Sequence, residues 1–248
     1  MSSRPGERFR PFKLTCKIRP PVVLAHPWVC LDGILTHVMS RRNRGEAFYT
    51  QNPHIANREK HYYNGMCMPL KQFFDVYHSS IAFFNIPYDT LSYTKFYKRF
   101  YEQDSHLVGT SQKSIQIGRG PFCAQQIEIP SLPATECYFY GFGDIEKVAD
   151  LMHHVPGIGK KVAVGCGSIF KFSIEEIERD FSFIKDGVAM RPIPCKYHFD
   201  SAENMMIAYK PPYWDCASGG NVGLCVKPGA KLTDIRHSWL RNNNVSVN

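Results

Sequence analysis

The sequence predicts an α+β fold in which one small sheet carries two helices, and three observations predict it. Residues 12–18, Phe12-Lys13-Leu14-Thr15-Cys16-Lys17-Ile18, alternate apolar and polar, the signature of a half-buried strand. Leu31, Ile34, Leu35 and Val38 then recur at helical spacing. A second strand, helix and strand follow from Cys137 to Ile174.

Residues 1–11 read as a disordered basic leader without the apolar stretch of a secretory signal. The first strand runs from Phe12 towards Leu24 and is interrupted at Pro20-Pro21, because proline lacks the amide that a ladder needs. The first helix begins at Leu31 and ends near Ser40, before the basic run Arg41-Arg42-Asn43-Arg44. Residues 45–107 have no clean period but hold thirteen Phe and Tyr between Tyr62 and Tyr101, which predicts a large insertion of short strands or helices packed by aromatics. Its densest piece is Lys95-Phe96-Tyr97-Lys98-Arg99-Phe100-Tyr101. At helical spacing Phe96 and Phe100 share a face, as do Tyr97 and Tyr101. Residues 115–129 read as a hairpin broken at Gly118-Arg119-Gly120-Pro121. Cys137 to Asp144 is a buried strand, and Asp144 suits the N-cap of a helix whose face is Ile145, Val148, Ala149 and Met152. Ser168 to Ile174 alternates again as a strand. Two strand–helix–strand halves make a ferredoxin-like (RRM-like) split βαβ core over residues 12–180. Residues 181–248, rich in Pro and Gly, form a loop-rich C-terminal extension.

Composition bounds the function. With 44% apolar and 21% charged residues in 248, the chain buries a core and is not a disordered polymer. A net charge of +8 attracts polyanions. No stretch has the length of a membrane span. Nine cysteines without a C-x-x-C pair read as reduced thiols of a cytoplasmic protein. Cys216 and Cys225, flanked by His198 and His237, are spaced too widely for a zinc knuckle, so no metal or other cofactor is expected.

The chemistry concentrates in Val155-Pro156-Gly157-Ile158-Gly159-Lys160-Lys161-Val162-Ala163-Val164-Gly165-Cys166-Gly167. A nucleotide-binding P-loop is excluded, because Lys161 follows Lys160 and the order is helix, loop, strand. A helix-hairpin-helix is disfavoured, because only Lys160 to Val164 precede the next glycines. A glycine-rich loop on a sugar-phosphate backbone and a tight connection that merely needs glycine both fit. Glycines allow close backbone approach, and paired lysines neutralise phosphate.

Five pieces in order resemble the RAMP proteins of CRISPR systems, and more closely the type IV effector subunit of the Cas-five-type group. They are Leu31-Asp32-Gly33-Ile34-Leu35, Gly118-Arg119-Gly120-Pro121, Tyr140-Gly141-Phe142-Gly143-Asp144, the run Ile158 to Ile169, and Asp186-Gly187 with Arg191-Pro192-Ile193-Pro194. Cys166 departs from the pattern, which usually has an aromatic residue there. The resemblance implies a subunit that caps the 5′ handle of a CRISPR guide RNA. Its implied neighbours are a backbone filament subunit, a large subunit and, beyond them, target DNA, with no membrane. The expected RNA-binding residues are Gly157, Gly159, Lys160, Lys161, Gly165, Gly167, Arg41, Arg42, Arg44, Lys95, Lys98, Arg99 and Arg119.

No catalytic residue is expected. Ribonuclease chemistry needs a base for the 2′-hydroxyl and an acid for the leaving oxygen. His26, His37, His153 and His154 are the available candidates, without a defined pair. A generic RNA-recognition module is a further alternative, with Tyr138 and Tyr140 on one strand face and Phe139 on the other.

Overall fold

A computed structural model describes residues 8–24, 26–44, 67–101, 103, 106, 118, 122–197, 199–213 and 220–235. The strands of its first half are β1 (Phe9–Ile18), β2 (Val22–Val23), β3 (Gln72–Phe73), β4 (Val76–Tyr77), β5 (Phe83–Phe84), β6 (Ser92–Lys98), β7 (Gln125–Leu132), β8 (Glu136–Asp144) and β9 (Ile169–Glu176). The helices are α1 (Leu31–Arg44) and α2 (Ile145–Met152).

The central sheet has the order β5-β8-β1-β9, with every neighbouring pair antiparallel. In chain order its parts run strand, helix, strand, strand, helix, strand. Strand alternation sends Phe12, Leu14, Cys16 and Ile18 of β1 and Cys137 and Phe139 of β8 to one face. Leu31, Leu35 and Val38 of α1 and Val148, Leu151 and Met152 of α2 close that face into the main core. Burial of such side chains is worth about 1.5–3 kcal/mol each. Gly141 sits over the Phe12 ring, which occupies the space a side chain would need.

The helix boundaries have local causes. The Asp144 carboxylate accepts the Lys147 amide at 3.2 Å, the N-cap bond expected for α2. Helix α1 continues four residues past its expected end at Ser40. Thr36 and Ser40 donate their hydroxyls to carbonyls one turn back, so neither competes for a backbone amide.

Two expectations are corrected. β1 starts at Phe9, inside the expected leader, because Phe9, Arg10 and Pro11 pair with Asp144, Gly143 and Phe142. Residues 1–7 lie outside the described residues. The run 95–101 is not helical. Its first part belongs to β6, which pairs with β7 from Ser92↔Ser131 to Lys98↔Gln125. Long-range pairing and the strand preference of aromatics override the short helical spacing. Of the hairpin expected within 115–129, residues 125–129 belong to β7, which pairs with β6 and β2 in a three-stranded sheet, while residues 115–117 and 119–121 lie outside the described residues.

The C-terminal extension carries strands of its own: β10 (Ile184–Lys185), β11 (Val188–Ala189), β12 (Ile193–Pro194), β13 (Phe199–Asp200), β14 (Asn204–Ala208), β15 (Val222–Val226) and β16 (Asp234–Ile235). Phe183, Ile184, Ile193, Phe199, Tyr209, Cys225 and Val226 form a second core, joined by Val76 from the insertion. Asp75 is held there by Lys210 at 2.5 Å and by the Tyr197 hydroxyl.

Arg191 joins the two cores. Its side chain is wholly buried and pairs with the equally buried Asp32 at 3.2 Å. It also donates to the carbonyls of Tyr77, Ser79 and Tyr209 and to the hydroxyls of Ser79 and Tyr213. The Tyr213 hydroxyl donates to Asp32 at 2.9 Å.

Stability measurements test both sets of contacts. Arg191→Met leaves the Asp32 carboxylate buried without its partner and should cost about 3–5 kcal/mol in a denaturant melt, the range for a broken buried pair. A loss below about 1 kcal/mol would remove Arg191 as the junction. For Asp75, partial burial acts against the charged form. Hydrogen bonds from Lys210 and Tyr197 and the charges of Lys210 and Lys196 outweigh it and hold the carboxyl at about 2. Its contribution is therefore complete above the ordinary carboxylate range and disappears as pH falls through about 2. The melting-temperature gap between wild type and Asp75→Asn should close across that interval; a gap constant with pH would contradict it.

Candidate nucleic-acid interface

The glycine-rich segment is folded onto the strands beside it. Val155 and Ile158 are buried anchors. Lys160 donates its amide to the Val23 carbonyl at 2.7 Å, and Ile158 to Gly167 at 2.9 Å. The Gly167 amide lies 3.0 Å from the carbonyls of both Arg19 and Pro21. A single 3₁₀ turn, Val162–Val164, forms the tip, with left-handed residues on both sides: Lys161 at φ 61° and Gly165 at φ 96°.

This geometry separates the four glycines. A Cβ on Gly157 would lie 2.6 Å from the Gly167 carbonyl oxygen. One on Gly159 would collide with the Val23 carbonyl, and one on Gly167 with that of Ile158. These three glycines serve the chain's own close approaches. Gly165 has open space around it and needs glycine only for its positive φ. Cys166 is buried, so it offers no exposed surface at the tip.

Lys160 and Lys161 are both exposed. A non-glycine residue in the left-handed region costs about 1–2 kcal/mol. At Lys161 that conformation accompanies a specific contact: its ammonium lies 5.3 Å from the centre of the Phe96 ring. The loop thereby meets β6. On β6, Tyr93, Lys95 and Tyr97 face solvent, with the two tyrosine rings 68% and 74% exposed, whereas Thr94 and Phe96 are half-buried. Lys95 pairs with Glu128 of β7 at 3.2 Å, and Arg99 lies over the Tyr101 ring. Lys98 is exposed.

On its other side the loop meets α1 across a cleft of about 450 Å³. His26, Trp28, His37, Lys160 and Tyr213 are among its lining residues. Burial lowers the pKa of both histidines; Lys160 adds to the effect on His26 and Arg41 to that on His37. A shallower groove continues past Val38 and Pro156 to Arg41, Arg42, His153 and His154. Arg42 is tied to Asp150 of α2 at 2.6 Å.

The structure thus brings together the end of α1, the lysine pair and the β6 hairpin, three pieces far apart in sequence. Arg44 is the last residue of α1, and Arg119 lies outside the described residues. Trp28, Tyr93 and Tyr213 were not singled out by the sequence. For Tyr93 no local period was available, since the aromatics at 93, 96 and 97 do not alternate. Nothing local marks Tyr213, which reaches the cleft through the Asp32–Arg191 junction.

No cluster of His, Cys, Asp or Glu suited to a metal ion occurs among the described residues. Of Cys216, Cys225, His198 and His237, only Cys225 is described. It is fully buried, with its thiol directed at the Ile207 and Gly223 carbonyls. No described helix is long and apolar enough to cross a membrane.

The glycine assignment can be checked by thermal melts of single variants. Gly159→Ala and Gly167→Ala should each lower the melting temperature strongly, since a side chain there meets the chain's own backbone. Gly165→Ala should cost only about 1 kcal/mol, from its φ. Equal losses at all three positions would contradict the separation.

Comparison with known proteins gives three results. No curated protein matches the chain. Among solved structures, one chain of the type III-B Cmr-beta complex bound to cognate target RNA is similar at 9% identity, with a TM-score of 0.37. That match covers 68% of this chain and 61% of the other, a likeness too distant to transfer fold or function. Residues 88–223 match the family described as CRISPR type IV associated protein Csf3. The matched stretch runs from the insertion through β6–β9 and the lysine pair to Arg191 and Tyr213, more than half of the chain, and the protein therefore belongs to the Csf3 family of CRISPR type IV associated proteins.

Proposed function

We propose that this chain is a non-catalytic subunit of a type IV CRISPR ribonucleoprotein effector, of the Cas-five-type group, that binds and caps the 5′ handle of the guide RNA in the cytoplasm. One observation carries the reading: Arg41 and Arg42 at the end of α1 and Lys160 follow one another along a groove and cleft that share Val38 and Pro156, and the adjacent Lys161 reaches Phe96 of the β6 hairpin. Cations along this path engage phosphates, while Tyr93 and Tyr97, exposed on the face of β6 opposite Phe96, offer ring faces to unpaired bases. The strand–helix–strand–strand–helix–strand order, with β1 between β8 and β9, supports the ferredoxin-like core. Family membership supports the CRISPR setting. The backbone filament subunit, the large subunit and target DNA belong to the proposal as partners.

In this reading Lys160 and Lys161 are phosphate ligands, with Arg41, Arg42, Arg44, Lys95, Lys98, Arg99 and Arg119 as further contacts along the RNA. Gly157, Gly159 and Gly167 act indirectly, by shaping the loop that presents the lysines. Gly165 leaves room at the tip for a sugar-phosphate backbone.

A second reading, ribonuclease action on precursor guide RNA, draws on the cleft. His26 and His37 line it together with Lys160, and burial keeps the neutral, base-competent form of each histidine favoured. The non-catalytic reading stands first because the sequence itself fixes no base–acid pair among its histidines.

Both readings are tested on the purified chain. Lys160→Ala with Lys161→Ala should weaken guide-RNA binding and flatten the dependence of log K on log salt by about 1.4, roughly 0.7 for each single-strand phosphate that is no longer neutralised. An unchanged slope in a folded double variant removes the phosphate role. Precursor guide RNA should survive incubation with the wild type. A discrete cut that His26→Ala abolishes would instead establish the nuclease reading.

A further inference from the structure

The central sheet has a second face, turned away from α1 and α2. One end of it is packed by the C-terminal core, where His78 lies between Phe142 and Phe183 at 5.8 and 4.9 Å. The other end carries a different surface. The alternation that buries Phe12, Leu14 and Cys16 turns Lys13 and Lys17 of β1 outward, and it does the same for Tyr138 of β8. The ladders bring Phe83 of edge strand β5 opposite Tyr138, and Lys171 of β9 opposite Lys17.

The rings of Phe83 and Tyr138 stack at 5.4 Å with 21° between their planes, and both residues are only half-buried. The Lys13 ammonium lies 5.0 Å from the centre of the Tyr138 ring. Next to it Lys185 donates to the Tyr140 hydroxyl at 2.9 Å. Lys17 is paired with Glu136, and Glu175 lies opposite Lys13. With Asp186 beside Lys185, the four cations Lys13, Lys17, Lys171 and Lys185 stand against three carboxylates around a ring stack that reaches the sheet edge, and Lys171 faces another lysine rather than a carboxylate.

We propose that this open sheet face is a second binding surface, for single-stranded RNA, distinct from the path along the glycine-rich loop. Unpaired bases stack onto Phe83 and Tyr138, and the flanking lysines hold the phosphates. Charge complementarity and ring geometry together favour single-stranded RNA on this face. A neutral apolar partner would leave the lysines unused, and a duplex cannot present its base faces to the rings. The inference rests on the reading that the chain handles RNA, but it uses none of the residues assigned to the guide path.

The experiment is a titration of the full chain with a labelled oligouridylate that has no handle sequence, and with an RNA duplex of equal length. Phe83→Leu with Tyr138→Leu keeps apolar bulk but removes both rings. It should weaken oligouridylate binding by about fivefold or more and leave the duplex nearly unaffected. Because that variant can lose its fold, Lys171→Glu, at an exposed position, supplies a second arm. It should weaken binding severalfold and flatten the salt dependence while the melting temperature is unchanged. Photo-crosslinking of the wild type should mark peptides containing Phe83 or Tyr138.

Crosslinks confined to residues 155–168, with affinity unchanged in both variants but lost in Lys160→Ala with Lys161→Ala, overturn the second surface and leave the guide-RNA reading standing. Failure of the wild type to bind oligouridylate overturns the second surface, and intact guide-RNA binding in the same preparation keeps the first reading. A dimer that the ring variants dissolve, with RNA affinity unchanged, also overturns it and makes the face a contact between copies.

Discussion

The fold depends on one buried cation. Arg191 has no exposed side-chain surface and spends its guanidinium on Asp32, three backbone carbonyls and two hydroxyls. Removing a charge of that size from water is costly unless nearly every donor finds an acceptor, and Arg191 comes close; its Nε is the remainder. Its partners come from α1, from β4 and the residues just after it, and from the C-terminal extension. One residue therefore fixes how the two cores meet. It also sets the cleft, because Tyr213, bound to both Asp32 and Arg191, forms part of its wall. Even Gly33 follows from this junction: a Cβ there would lie 2.8 Å from the Tyr213 ring.

The candidate interface inherits its shape from this frame. α1 carries Arg41 and Arg42 at one end and His37 along the cleft. The glycine-rich loop is pinned to β2 through Lys160 and Val23, and β2 pairs with β7, which pairs with β6. A chain of backbone hydrogen bonds thus connects the lysine pair to the tyrosine-bearing hairpin. The strained φ of Lys161 is tolerated because bonds on both sides fix the turn, and its ammonium is directed over Phe96.

What was legible in the sequence followed local periodicity. β1, α1, β8, α2 and β9 all show their period or their cap, and each forms near where it is expected. β5 was not legible, since two residues, Phe83 and Phe84, carry no period, yet they complete the central sheet. β6 was not legible because the aromatics of 95–101 stand at helical rather than alternate spacing, and only pairing with the distant β7 makes 92–98 a strand. The Asp32–Arg191 pair was half legible. Both residues stood in runs singled out for the family resemblance, but a separation of 159 positions hides their contact. The glycines were recognised as needed, while the reason for three of them, approach to the chain's own backbone, exists only in three dimensions.

The central claim is that the cationic path holds a guide RNA with a defined 5′ end. The most direct measurement is to sequence the nucleic acid that copurifies with the chain when it is expressed with its own CRISPR array. The account predicts short RNAs of uniform length that share a 5′ handle and are absent from the Lys160→Ala, Lys161→Ala variant. Heterogeneous cellular RNA, or the same RNAs retained by that variant, would contradict it.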